Sequence, residues 1–184
     1  MKYSEANIFI ALIFQSCASF KEPKINGTLN ENNLSQLNGQ YNDSVSSGGG
    51  LYVKKLSDVL DRNVNMFDFK HDEKYVGKGI TVDLKVVSKN MLNVKFKKHN
   101  QIISDKNVKV KLKNDGFLYV KGKKFMIDFV PFVLGGWNVQ KSRLTLNSDG
   151  NLYVESNYFF YAALFTVIGD WKTLRYESTF DKKE

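Results

Sequence analysis

The sequence predicts an all-β fold: an antiparallel meander of about eight to ten strands with one helix near its start, closed or nearly closed as a barrel, with a two-sheet β-sandwich as the alternative. Three observations carry this. From Val64 onward apolar and polar residues alternate in short segments, the period of a strand with one buried face. Asp-Gly pairs stand between such segments at Asp115-Gly116 and Asp149-Gly150, where Gly accepts the positive φ that tight hairpin turns require. Helical spacing occurs convincingly only in Leu51 to Leu60.

Composition bounds the rest. The chain has 184 residues, a formal net charge of +8, 42% hydrophobic and 14% aromatic residues, far from the signature of disorder and long enough to bury a sizeable core. A single cysteine excludes an intramolecular disulfide framework, and two histidines, His71 and His99, leave little for a multi-His metal centre. No cofactor and no metal are expected.

The first element is an address. Lys2, the apolar run Ile8 to Phe14, then Gln15 and the small Ser16 before Cys17 have the anatomy of a signal peptide over residues 1–16, too short to span a bilayer as a helix. These residues resemble a bacterial lipoprotein precursor, in which a short apolar stretch and a small residue precede a Cys that is lipidated and becomes the mature amino terminus. The richness in Lys, Asn, Phe and Tyr is similar to lipoproteins of the Bacteroidota. The resemblance implies acyl chains on Cys17 and a place in the cell envelope, lipid-anchored at the outer membrane. Two or three chains make such attachment lasting. The membrane is then a partner through the anchor, and Lys21 and Glu22 stand where some lipoproteins of that group carry a charged surface-export signal.

Residues 17–33 are polar and turn-rich, with Asn26-Gly27 and Asn30-Glu31-Asn32-Asn33, and read as a flexible tether. A single β-rich domain follows over 34–184. Leu37-Asn38-Gly39-Gln40-Tyr41 reads as its opening strand, similar to the Gly-x-Tyr start of β-domains in many lipoproteins of that group. In LYVKKLSDVL, Tyr52, Val53, Leu56, Val59 and Leu60 share a helix face. Strands follow, with Ile80, Val82, Leu84 and Val86 on one face, then Leu92, Val94 and Phe96, then Val108, Val110 and Leu112, then Phe125, Ile127 and Phe129. The segments around the two Asp-Gly turns echo one another 34 positions apart, but neither has the spaced carboxylates of a calcium loop.

Lys85, Lys95, Lys97, Lys109, Lys111 and Lys113 alternate with these apolar positions and should point away from the core. Such a face keeps the chain soluble and discourages edge pairing. With only Arg62, Arg143 and Arg175 as arginines, nucleic-acid readout by guanidinium forks is disfavoured, while anionic headgroups or acidic polysaccharide remain suitable partners for a positive face.

Two late stretches, Phe125 to Trp137 and Tyr158 to Gly169, are apolar on both alternating sets. Each suits a strand buried on both faces, or one whose second face lines a cavity or a partner. In the second case Phe129, Phe132, Trp137, Phe159, Tyr161 and Phe165 are the residues to bind an apolar ligand. The barrel with its ligand is lipocalin-like in this reading.

Catalytic motifs are lacking: no nucleophile elbow, no His-Glu-x-x-His, no phosphate-cradling loop. Asp68, His71, Asp72 and Glu73 form the densest group of candidate metal ligands and read as a solvated turn, as does His99. Three functions compete: a non-catalytic envelope module binding an apolar small molecule or envelope component, an interaction subunit or immunity-type lipoprotein with a protein partner, and a hydrolase using paired carboxylates.

Overall fold

A computed structural model describes residues 19–61, 73–120, 124–130, 134–164 and 168–183, with side chains described for these apart from 73, 124–130, 134–138, 161–164 and 168–171. The signal peptide and Cys17 lie outside the described residues, as do Phe132, Phe165, Asp68, His71 and Asp72.

Among the described residues eleven strands form one antiparallel sheet. They are β1 (Gly39–Asn42), β2 (Ser47–Gly48), β3 (Ile80–Ser88), β4 (Met91–Lys98), β5 (Gln101–Leu112), β6 (Leu118–Val120), β7 (Lys124–Val130), β8 (Leu134–Leu146), β9 (Leu152–Leu164), β10 (Ile168–Phe180) and β11 (Lys182–Lys183). The hydrogen-bonded order is β11-β1-β3-β4-β5-β6-β8-β9-β10-β2, with β7 on β8 beyond the end of β6. The all-β expectation is met.

Turn chemistry sets the registers. Gly116 (φ 74°) and Gly150 (φ 78°) both occupy the left-handed region, so the β5–β6 and β8–β9 hairpins close alike, with Gly116 N–H on the Lys113 carbonyl and Gly150 N–H on the Asn147 carbonyl, each 3.1 Å. His99 and Asn100 also have positive φ, 50° and 66°, the two-residue turn whose twist matches flanking strands. His99 is an exposed turn residue, as its sequence context predicts.

The expected closed barrel is not what these pairings make. The path is open because its terminal strands, β2 and β11, are two residues each and the chain leaves the ladder after β1, where Asp43 turns to Ser57. The sheet nevertheless bends back on itself. Chain-adjacent β1 and β2 pair with chain-adjacent β11 and β10, and Asn42 N–H to Asp181 O (2.9 Å) and Ser46 N–H to Thr179 O (2.8 Å) stitch the seam between them.

Among the described residues one α-helix is present, shorter than the periodicity of 51–60 predicts: α1 covers only Leu56–Leu60. Asp58 explains the late start. Its carboxylate accepts the N–H groups of Lys54 and Lys55, each at 3.0 Å, which places helix entry at Leu56, and Lys55 itself is extended. Asp43 holds the same end, accepting from the Ser57 N–H at 2.8 Å and its hydroxyl at 3.1 Å. Val53 and Leu56 are fully buried, so the apolar face is used although half of it is not helical.

The core fills the inner face of the bent sheet. Tyr41, Val82, Leu92, Val94, Phe96, Leu118, Leu144, Leu152 and Phe180 meet α1 and the turn Leu34–Leu37 there. Each fully buried leucine removes about 1.5–3 kcal/mol of apolar exposure. Lysines stand outside as expected, with Lys85, Lys109, Lys111 and Lys113 exposed, but Lys97 and Lys95 are partly covered and paired to Asp83 (2.5 Å) and Asp105 (3.2 Å).

The segment read as a tether is laid on the outer face of the sheet. From Ser19 to Leu29 it forms a strap over β6, β8, β9 and β10. Leu29 N–H reaches the Gly116 carbonyl (3.1 Å), Thr28 bonds Thr145 and the Leu146 carbonyl, Lys24 pairs with Glu177 (3.1 Å), and Phe20 packs edge-on against Tyr119. The composition is that of a coil, yet its backbone polar groups find partners on the sheet.

Candidate functional site

Strands β7 to β10 run on past the rest of the sheet as a four-stranded blade. Among the described residues β7 pairs with β8 alone, and β10 pairs beyond β9 only at Thr179 and Ser178, with β2. Seven ladder rows result, from Lys124-Gln140-Tyr158-Leu174 to Val130-Leu134-Leu164-Ile168.

Register sorts these rows onto two faces, because alternate residues of a strand share a face. Tyr158 and Phe160 belong to the inner core, where they surround Tyr52 at ring distances of 5.8 and 5.0 Å. Their row partners Gln140 and Leu174 take the inner face too, and Gln140 donates to the Tyr158 hydroxyl at 3.0 Å. The alternate rows, Phe125-Val139-Phe159-Thr173, Ile127-Trp137-Tyr161-Trp171 and Phe129-Gly135-Ala163-Gly169, continue the outer face. Of the six residues expected to bind an apolar ligand, Phe129, Trp137, Phe159 and Tyr161 therefore share one ladder face. It is the ladder face opposite the core; of the four, only the Phe159 side chain is among those described, and it is buried.

The strap ends at the base of this face. Asn157, one position from the blade, donates its side-chain amide to the Ser19 carbonyl at 2.8 Å. Cys17 precedes Ser19 by two positions in the sequence. Phe159 is the next outer residue along β9 and is 5% exposed.

Between strap and sheet sits the most buried charge of the outer face. Arg143, 3% exposed, donates to Glu155 from Nε (2.9 Å) and Nη2 (2.6 Å), to the Lys21 carbonyl (3.0 Å), and to Asp115 (3.2 Å) and the Tyr119 hydroxyl (3.0 Å). Its guanidinium lies 4.6 Å from the Phe20 ring and 4.4 Å from that of Phe117, a cation sandwiched by aromatics. Burial pushes the Glu155 carboxyl up in pKa, opposed by Arg143. Arg143 thus ties β9, β6 and the β5–β6 turn together and reaches the strap through the Lys21 carbonyl, which makes the cluster structural.

A second charged cluster closes the other side of α1. Asp61 accepts from Lys106 and the Tyr75 hydroxyl and pairs with Lys74 at 3.1 Å. Burial works against its charge, but the hydrogen bonds from Lys106, Tyr75 and Lys74 hold its carboxyl well below the usual carboxylate range. A carboxylate tied to two lysines and a phenol is a poor general acid at neutral pH. Among the described residues no group of three or more His, Cys, Asp or Glu side chains could hold a metal ion.

Compared with known proteins, the chain matches no family model, no curated protein and no solved structure. The blade and the strap are the features that the sequence pattern could not assemble. The signal in the sequence was the two-sided apolar character of 125–137 and 158–169; which alternate set faces outward required the register.

Proposed function

We propose that this protein is a lipid-anchored cell-envelope module that binds and does not catalyse. Cys17 carries the anchor at the outer membrane, the bent sheet acts as a nearly closed, lipocalin-like barrel, and the outer apolar rows of the blade take an apolar ligand or envelope component. The observation that supports this reading is the row Ile127-Trp137-Tyr161-Trp171, which gathers both tryptophans of the chain on the ladder face opposite the core. The seam between 40–48 and 178–183 supports the barrel-like part, since it joins the two ends of the path.

Two measurements test it. Cys17→Ser moves the protein from the membrane to the soluble fraction and abolishes labelling by a clickable palmitate analogue; a parent protein that takes no label refutes the anchor. A lipid-like or aromatic ligand quenches tryptophan emission and raises the melting temperature by mass action; a panel of such ligands without effect refutes the binding role. A second reading, an interaction subunit or immunity-type lipoprotein, is favoured by β7, which among the described residues pairs with β8 alone and so offers strand addition to a protein partner. Native mass spectrometry separates them by the mass of what co-purifies.

A further inference from the structure

We propose that the outer face of β3 to β5 is a docking surface for an acidic polysaccharide, centred on a corner formed by Lys85, Lys89, Lys109, Lys111 and Lys113. This surface lies apart from the blade, on strands whose side chains are all described. Leu84, Val94 and Val110 point into the core. Alternation therefore puts the rows Gln40-Asp83-Lys95-Asp105 and Lys85-Asn93-Asn107 on the outer face, with Lys109 and Lys111 following along β5.

The two carboxylates on these rows are already engaged. Asp83 pairs with Lys97 at 2.5 Å and accepts from the Gln40 amide at 2.8 Å. Asp105 pairs with Lys95 at 3.2 Å and accepts from the Asn93 amide at 2.9 Å. Positive charge is left over at one corner. The turn Lys89-Asn90 between β3 and β4 lies against β5, where the Asn90 carbonyl accepts the Val110 N–H at 3.0 Å, and this brings Lys89 to the level of Lys109 and Lys111. All five lysines of the corner are exposed, and no carboxylate among the described residues pairs with any of them. Asp115, two positions from Lys113, is taken by Arg143 and the Tyr119 hydroxyl, while the Lys113 ammonium rests on the Tyr119 ring at 3.7 Å.

Neither ordinary use of exposed strand lysines accounts for this. Guarding an open edge does not, because β3 and β4 are interior strands and β5 pairs with both β4 and β6. A face kept only for solubility intersperses both signs, as the half with Lys95 and Asp105 does and the corner does not. The partner's chemistry follows from what accompanies the charge. Ammonium groups without a guanidinium fork attract negative charge and do not read a planar, bidentate pattern. Asn93 and Asn107, with their amides 3.0 Å apart, offer donors and acceptors to hydroxyl groups. Val87, 58% exposed, is too little apolar surface to enter a bilayer, and no exposed aromatic ring stands beside it among the described residues to stack a nucleobase. Lys109 and Lys111 follow one another at about 7 Å along β5. A polymer of acidic sugars brings a row of negative charges to such a row of ammonium groups, and hydroxyls to the amides.

The full-length protein is titrated by calorimetry with polygalacturonate and with neutral dextran, at low and at high salt. Binding to polygalacturonate alone, weakened by salt, is expected. The triple variant Lys85→Gln, Lys109→Gln, Lys111→Gln should weaken it about tenfold or more, and arginine at the same three positions should retain it. The triple variant Lys54→Gln, Lys78→Gln, Lys172→Gln removes equal charge from exposed positions outside the corner and should change affinity less than about twofold. Both glutamine variants should melt with the parent, since all six side chains are exposed. Absence of binding overturns the proposal, and so do equal losses in the two glutamine variants, which would make the contact one of net charge. Phosphatidylglycerol vesicles test the other source of anions: if the corner variant loses these vesicles while polygalacturonate ignores the parent, the face serves headgroups and the polysaccharide is refuted. None of these outcomes bears on the blade, whose ligand is read by tryptophan emission.

Discussion

Arg143 on β8 and Glu155 on β9 stand opposite one another in the ladder, and both Nε and Nη2 of the guanidinium converge on one oxygen of the carboxylate, at 2.9 and 2.6 Å. The pair lies under the strap, with Arg143 also holding the Lys21 carbonyl. A charge pair taken this far from water is worth little beyond an apolar replacement, yet breaking it strands the remaining charge.

Arg143→Ala is therefore expected to cost about 3–5 kcal/mol in chemical denaturation and to open the strap to protease between residues 19 and 29. The double variant Arg143→Met, Glu155→Leu should recover most of that stability. Single and double variants of equal stability would show that the pair is not the clamp.

The two Asp-Gly hairpins make a matched comparison. Gly116 and Gly150 share the same positive φ, but a Cβ on Gly116 would stand 2.3 Å from the Gly27 carbonyl oxygen, whereas one on Gly150 meets nothing within 4 Å. Gly150→Ala then carries only the backbone cost, about 1–2 kcal/mol. Gly116→Ala carries that cost and also displaces the strap, and Gly27→Ala should resemble it, since a Cβ there would lie 2.2 Å from the Asp115 carbonyl oxygen. Thermal melts of the three variants check the order, and equal losses at Gly116 and Gly150 would contradict the close approach of strap and hairpin.

Acid should find Asp61. Its native pKa lies below the ordinary 3.8, so the unfolded chain takes up the proton first as pH falls. The stability that Asp61 contributes is complete above that value and is lost progressively below it. Asp61→Asn is expected to cost about 1–3 kcal/mol at neutral pH, with the gap to the parent narrowing below pH 3.8. Glu155 and Asp43 act in the opposite sense: burial raises both, so their contribution is present at low pH and lost as pH rises through their native pKa values. A parent-minus-Asp61→Asn difference that stays constant down to acid unfolding would count against the Lys106, Tyr75 and Lys74 contacts.

Local chemistry determined a good deal of this protein in its sequence. Alternation at Leu92, Val94 and Phe96 placed three side chains that are fully buried, Asp-Gly placed two hairpins, and Gly39 to Tyr41 opened the sheet, because strand period and turn preference are properties of neighbouring residues. The helix is shorter than 51–60 for a related reason: apolar spacing records which side faces the core and is silent about Asp58, whose bonds to Lys54 and Lys55 delay helix entry. What only the tertiary structure decided are pairings between distant segments. The strap over Arg143 joins residues more than a hundred positions apart, the seam at Thr179 joins the first strands to the last, and the outward face of the blade depends on the register of β8 against β9. A one-residue slip of β9 would have exchanged its faces, moving Tyr158 and Phe160 away from Tyr52. The sequence of an apolar strand with two apolar faces permits either register, and the packing of Tyr52 between Tyr158 and Phe160 selects one.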